Sequence, residues 1–306
     1  MARIPRIMIT GESTAYHVIS RTALDGYVMG DVEKDFFVKL LKQKAKIYFT
    51  EILGFCVMGN HFHLLVRIIR DGDYTDTDIV DRYKTIYGKD AVLPEDRIDF
   101  YRDKWASLSE FVKEIKLGFS RFYNKRHGRR GFFWGDRFKS VVVENGNTLI
   151  NCLAYIDLNP VRAGIVGRPE DYRWSSIGYH LQNATPDDFL SLDFGLRPFM
   201  KHSDEKRLAH YRAFLYETGA VDTGKGAQVD EKVLEKERKK EFKVTRAMRF
   251  KYRTRYFTDS GIIGTKVYVA NTFQRFKDRY PAKREKIPKP VAGLSGMYSL
   301  KRLSEA

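Results

Sequence analysis

Between residues 14 and 69 the apolar positions change their period along the chain, and the changes predict elements. Ala15 to Arg21 reads as a first strand. From Val32 to Ile47 the apolar residues Phe36, Phe37, Leu40 and Leu41 recur at helical spacing and predict an amphipathic helix. Glu51 to Met58 and His61 to Ile69 are strand-like again, joined by Gly59-Asn60, residues that tolerate the positive φ of a tight hairpin. Residues 70–106 break the pattern: they are Asp-rich, have no sustained period before Tyr101, and predict a surface insertion. Ser107 and Glu110 have the spacing of a capping box. They open a helix whose apolar positions 108, 111, 112, 115, 119 and 122 share one face, ending at Lys125-Arg126-His127-Gly128. Residues 131–143 predict another strand or pair of strands, and Asn147 caps a short helix that Pro160 terminates.

The order strand–helix–strand–strand–helix–strand predicts an α+β fold, a ferredoxin-like βαββαβ antiparallel sheet with a further helix added at 147–159. In that arrangement two helices cover one sheet face. Phe62, Leu64, Val66 and Ile68 would meet them, while His61 and His63 project from the other face, which the added helix can partly cover. Residues 1–180 form the main domain, with the acidic insertion at 70–106, and 181–230 supply connecting helices and a linker. Gly219, Gly224 and Gly226 mark the boundary to a basic, mainly helical extension at 231–306, expected to bind DNA. Within it the pattern predicts a charged helix from Asp230 to Tyr256, a turn containing Gly261 and Gly264, a helix near Lys266–Asp278 and a Pro/Lys-rich end.

Charge narrows the class of partner. Of the 306 residues, 232–306 hold 21 Lys+Arg against 7 Asp+Glu, although the whole chain carries only +16. Within the rest, 107–139 has 9 basic and 3 acidic residues interleaved with Phe, Tyr and Trp. Basic charge concentrated among aromatics favours a nucleic-acid partner over a merely solvated surface. No apolar run is long enough to span a bilayer, and Met1 to Met8 contains no apolar core of a secretory signal. Cys56 and Cys152 sit in apolar runs and read as buried thiols of a reducing cytoplasm; two cysteines build neither a disulfide framework nor a thiolate zinc site.

The candidate chemistry begins at His61-Phe62-His63. On a strand the two imidazoles face the same way, about 7 Å apart along the chain, within reach of one divalent ion. An arbitrary His-x-His pair is more often two hydrogen-bonded histidines. The short helix carries the apolar stripe Leu149, Cys152, Leu153 and Ile156, flanked by Asn151, Tyr155 and Asn159 at intervals of four. A tyrosine beside such a stripe is more often simply packed. Taken with the His pair and the basic, aromatic chain, another chemistry is coherent. His61, His63 and the Asn159 carbonyl oxygen hold a divalent cation, Mg²⁺ or Mn²⁺, that polarises a phosphate, and the Tyr155 hydroxyl attacks phosphorus. The sequence has no Walker-type loop, and this chemistry needs no nucleotide. His17, on the first strand, is a possible neighbour of the site or a structural histidine. Arg121, Lys125, Arg126, Arg129, Arg130, Arg137 and Lys139 are candidate phosphate contacts, and Phe132, Phe133 and Trp134 are candidates for base stacking or for core.

The runs Tyr16-His17-Val18-Ile19-Ser20-Arg21, His61 to Val66, Gly131 to Ser140 and Tyr155-Ile156-Asp157-Leu158-Asn159-Pro160-Val161-Arg162-Ala163-Gly164, followed by Pro169 and Tyr172-Arg173-Trp174-Ser175-Ser176, resemble the REP-associated tyrosine transposases. These are single-tyrosine HUH transposases, and the resemblance covers 1–180 in order. It implies cleavage and rejoining of single-stranded DNA at hairpin repeats through a 5′-phosphotyrosine and a free 3′-hydroxyl. Residue by residue, His61 and His63 match the paired metal ligands, Tyr155 the nucleophile and Asn159 the residue that completes the metal site. The separation of 92 positions from His63 to Tyr155 departs from the family pattern because of the insertion. Such a protein is cytoplasmic and works as a monomer or homodimer without a membrane. The rival readings are a non-cleaving hairpin-binding protein derived from a transposase, and a His-x-His metallohydrolase, for which residues 64–69 supply no further ligand.

Overall fold

A computed structural model describes residues 6–70, 72–182, 189–191, 204–222, 224, 226–238, 261–279, 287–290 and 296–300. Its strands are β1 (Thr14–Arg21), β2 (Thr50–Val57), β3 (His61–Ile68), β4 (Lys139–Val143), β5 (Ile262–Gly264), β6 (Lys289–Pro290) and β7 (Tyr298–Ser299). They form one mixed sheet in the order β2-β3-β1-β4-β5-β7-β6. The β4–β5 pair is parallel and the other strand pairs are antiparallel. Among the described residues the helices are α1 (Asp31–Ala45), α2 (Asp76–Tyr87), α3 (Ile98–Trp105), α4 (Leu108–Arg126), α5 (Asn147–Asp157), α6 (Asn159–Arg162), α7 (Ser176–Gln182), α8 (Asp204–Gly219), α9 (Glu231–Arg238) and α10 (Lys266–Arg275). The protein is thus α+β, with a mostly antiparallel sheet.

The alternation along each strand divides the core in two. Tyr16 and Val18 of β1, with Phe62, Leu64 and Val66 of β3, pack beneath Phe37 and Leu40 of α1 and Phe111, Val112, Ile115 and Phe119 of α4. Their neighbours Ala15, Cys56, Leu65, Val141 and Val143 point the other way and meet Leu149, Cys152, Leu153 and Ile156 of α5. The register places His63 opposite Ile19, and Ile19 opposite Lys139, so these three share the α5 side with His17. Both cysteines are buried free thiols, and no helix among the described residues is long and apolar enough to cross a membrane.

Several local expectations differ from the structure. The β2–β3 loop is Met58-Gly59-Asn60, closed by the Met58 N–H donating to the His61 carbonyl at 2.8 Å, and Gly59 is not at positive φ. Glycine is needed there for space, since a Cβ would fall 2.8 Å from a Tyr27 ring carbon. Residues 70–106 are more ordered than their weak period suggested. Thr75 and Asp78 form a reciprocal capping box opening α2, while Ile79 and Trp105 join the α1/α4 side of the core. At 131–143 the strand is confined to Lys139–Val143. Gly146, not Asn147, is the N-cap of α5, and Pro160 opens α6 rather than ending α5. A proline lacks only an N–H that is unused in a first helical turn.

The C-terminal part is joined to the main sheet. The expected turn at Gly261–Gly264 is β5, whose Ile262 and Ile263 pair with Val142 and Val143 of β4. The Glu144 carboxylate accepts hydrogen bonds from the backbone N–H and the hydroxyl of Thr265, the N-cap of α10. Of the charged helix expected from Asp230 to Tyr256, Glu231–Arg238 is helical, and 239–260 lies outside the described residues.

Candidate functional site

Three histidines and one tyrosine come together where α5 lies over β1 and β3. His17 and His63, on adjacent strands and 0% and 3% exposed, lie edge to edge with ring centroids 5.2 Å apart and planes 19° from parallel. His17 Nε2 lies 3.0 Å from His63 Nδ1, a buried hydrogen bond in which one ring donates and the other accepts. Both rings stand nearly perpendicular to the Tyr155 ring of α5, with centroids at 5.8 Å for His17 and 5.6 Å for His63. His61 stands nearly perpendicular to His63, at 5.1 Å. Tyr155 itself is half-buried.

Burial, with the nearby Arg21 guanidinium adding to it, pulls the His61 pKa down to about 4. His63 is held well below its ordinary value by burial first, then by His17 and His61. Both imidazoles are therefore neutral at neutral pH, the form that coordinates metals. The Oδ1 of Asn60 can only accept, so the 2.7 Å contact fixes the proton of His61 on Nδ1 and leaves a lone pair on Nε2. That is the arrangement a ligating histidine needs, with its second nitrogen held by an outer partner.

A shared divalent ion fits this donor set. With nitrogen–metal bonds of about 2.1 Å, two rings whose centroids are 5.1 Å apart can reach one ion. Among the described residues, no group of three or more His, Cys, Asp and Glu could hold a metal. Further ligands would have to be neutral oxygens or the substrate's own phosphate. Asn159 supplies one candidate. Its Nδ2 donates to the backbone carbonyls of Tyr155 at 2.8 Å and Ile156 at 3.3 Å, which leaves its Oδ1 as the unengaged end of the amide at the α5–α6 junction.

Asp157, which sequence patterning did not single out, fixes the tyrosine helix from below. Its buried carboxylate accepts from Ser176 Oγ at 2.6 Å, Ile177 N at 3.1 Å and Tyr211 Oη at 2.7 Å, tying α5 to α7 and α8. Burial raises its pKa to about 6 against the lowering effect of those donors. Arg162 likewise works inside the fold, donating to the carbonyls of Val221 at 2.9 Å and Thr218 at 3.1 Å just beyond and within the last turn of α8. A buried carboxylate cannot be told from an exposed one by spacing alone.

The basic candidates divide between the two sides of the sheet. Lys139 is exposed on the histidine side. Arg21, opposite His61, is exposed there too and was missed because it ends a strand without belonging to a cluster. Arg121, Lys125 and Arg126 belong to α4, across the sheet from the imidazoles. Arg126 is engaged, with Nε 3.1 Å from the buried Glu33 carboxylate that also accepts from His127. Arg129 lies over the Tyr123 ring at 5.9 Å, and Arg130 and Arg137 are exposed. Of the three consecutive aromatics, Phe133 and Trp134 are core and Phe132 is solvent-exposed.

No family model and no curated protein matches the chain. Among solved structures it is similar to one described as the REP-associated tyrosine transposase bound to a REP hairpin, at 15% identity and a TM-score of 0.42, over 62% of this chain and 92% of that one. At that identity and TM-score the likeness assigns neither a chemistry nor a partner to this chain.

Proposed function

We propose that this protein is a divalent-metal-dependent DNA strand transferase that cleaves and rejoins single-stranded DNA at hairpin repeats through a 5′-phosphotyrosine. The observation that carries the reading is the placement of Tyr155 against His63, ring centroids 5.6 Å apart, with His61 beside His63 at 5.1 Å. In this reading β1 to β4 with α1 and α4 are a ferredoxin-like unit, and α5 is the added helix that delivers the nucleophile. The motif resemblance of residues 1–180 to the REP-associated tyrosine transposases supports it independently.

His61 and His63, with the Asn159 carbonyl oxygen, would hold Mg²⁺ or Mn²⁺; when bound, such an ion polarises the scissile phosphate and offsets charge in the transition state. The remaining work belongs to the chain. The hydrogen bond between His17 and His63 fixes the ligand ring, and the Asp157 anchor fixes the helix that presents Tyr155. Arg21 and Lys139 flank the phosphate from the sheet. Attack forms a Tyr155 Oη–phosphorus bond and breaks the P–O3′ bond. The tyrosine loses one proton, the departing 3′ oxygen gains one, and no oxidant or nucleotide enters. Rejoining reverses the step with another 3′-hydroxyl.

The test is incubation of the full chain with labelled single strands bearing short hairpins, with Mg²⁺ or Mn²⁺, followed by a denaturing gel. A protein–DNA adduct that survives denaturation and needs the metal supports the reading. Binding without cleavage under every metal would leave a hairpin-binding protein in its place.

A further inference from the structure

Two large aromatic side chains are left in solvent at one end of the sheet, where β1 runs out and β3 begins. Phe132 is 89% exposed and Tyr27 is 82% exposed. Each is carried by a backbone that is itself held in place. Around Phe132, the Ala23 N–H donates to the Phe133 carbonyl at 2.8 Å and the Gly135 N–H to the Arg21 carbonyl at 3.0 Å. Asn124 Nδ2 donates to the Gly131 carbonyl at 2.9 Å, and the side chains of Phe133 and Trp134 are sunk in the core. Around Tyr27, the Met29 N–H donates to the Gly59 carbonyl at 2.8 Å and the Thr22 N–H to the Asn60 carbonyl at 2.9 Å. The Tyr27 ring lies so close to Gly59 that a Cβ there would be 2.8 Å from it. The Tyr27 segment therefore adjoins the stretch Gly59-Asn60-His61, and the Phe132 segment adjoins the end of β1, whose Arg21 pairs with His61.

Single exposed apolar residues are ordinary on protein surfaces. These two rings share a rim with cations, which is not ordinary. Residues 21–30 and 128–139 contain Arg21, Arg129, Arg130, Arg137 and Lys139 against Asp25 and Asp136. Arg21, Arg130, Arg137 and Lys139 are exposed. Flat π faces on a fixed backbone, spaced among cations, suit a strand whose phosphates are neutralised while its bases are splayed onto rings. A duplex hides its base faces within its own stack and would use the cations alone.

We propose that Tyr27 and Phe132 are stacking platforms for unpaired bases of a DNA single strand running past His61, one ring on each side of the β1–β3 end. This rests on the DNA-strand reading above and adds to it the path of the strand and the reason for preferring unpaired DNA.

The experiment uses the full chain and a mixed-sequence oligonucleotide carrying one 2-aminopurine at successive positions, read by fluorescence, alongside a duplex of the same sequence. The wild-type chain is expected to shift the 2-aminopurine signal at two separate positions. Phe132→Ala and Tyr27→Ala should each abolish one of those shifts and weaken single-strand binding by about tenfold, with duplex affinity unchanged. Phe132→Tyr and Tyr27→Phe, which keep the ring, should behave as wild type. Wild-type binding to single strands with both alanine variants unchanged would overturn the platforms and leave the strand-transferase reading standing. Equal losses on single strand and duplex would do the same, since a phosphate contact or a folding defect explains them. A wild-type chain with no affinity for single strands would remove both.

Discussion

The two faces of the sheet are built from the same four strands, obey the same alternation and each carry an apolar core, yet only one of them holds a cluster of histidines. Under α1 and α4, Phe62 meets Phe37 at 4.7 Å and Trp134 at 5.2 Å, and buried apolar side chains continue from one helix to the other. Under α5 the apolar packing of Leu65, Val141 and Val143 gives way toward the end of the sheet to His17, His63 and His61. Buried polar groups are costly unless paired. Here the pairing is close to complete: His17 on His63, His61 on Asn60, and Asp157 on three donors. One face is packed with aromatic and aliphatic side chains, and the other combines an apolar core with a preorganised polar cluster. The contrast separates what a substitution on either face should do.

The largest expected effect is on the α5 face. Tyr155→Phe should abolish the covalent DNA adduct while melting temperature and DNA affinity stay near wild type, because only the hydroxyl is removed. An adduct persisting in this variant on a denaturing gel would displace Tyr155 as the nucleophile. Next comes the opposite face: Phe62→Ala should lower unfolding free energy by about 3–5 kcal/mol in a denaturant titration, because the surrounding rings cannot close the space. His61→Ala should invert that outcome. Cleavage is expected to fall a hundredfold or more, on the order of 3 kcal/mol of transition-state stabilisation, with little change in stability. Full wild-type cleavage in excess chelator would sink the metal role of this pair.

Asp157→Ala tests whether the two functions can be told apart within one helix. It removes the acceptor of the Ile177 N–H and the Tyr211 hydroxyl, while Ser176 keeps its hydrogen bonds to Phe55, and should destabilise by about 2 kcal/mol, with a further loss of cleavage measured well below the melting temperature. Loss of stability alone would make Asp157 a packing residue and not a positioning one. The smallest effect concerns the C-terminal part. Since β5 and α10 are joined to the sheet, its cations are better tested by neutralisation in the full chain than by truncation. Replacing Lys239, Lys240 and Lys243 with Gln should flatten the plot of log K against log salt. On single strands the slope should fall by about 0.7 for each phosphate that the variant no longer neutralises. An unchanged slope would mean that these lysines face solvent or another partner.

Much of this was legible in the sequence because it depends on local periods. Two-residue alternation put Phe62, Leu64 and Val66 on one face and His61 and His63 on the other, and four-residue spacing put Asn159 one turn beyond Tyr155, where the structure begins α6. The capping box at Thr75 and Asp78 was also readable, but the weak apolar period of 76–87 masked it. Tertiary structure alone decided the rest. That His17 on β1 hydrogen-bonds to His63 depends on strand order and register, which bring together residues 46 positions apart. That Asp157 meets Tyr211, and that Ile262 pairs beside Val142, depends on where distant segments dock. Local spacing encodes which way a side chain points. Only packing determines what it meets there, because those contacts form after the chain has closed loops whose lengths the local pattern does not constrain.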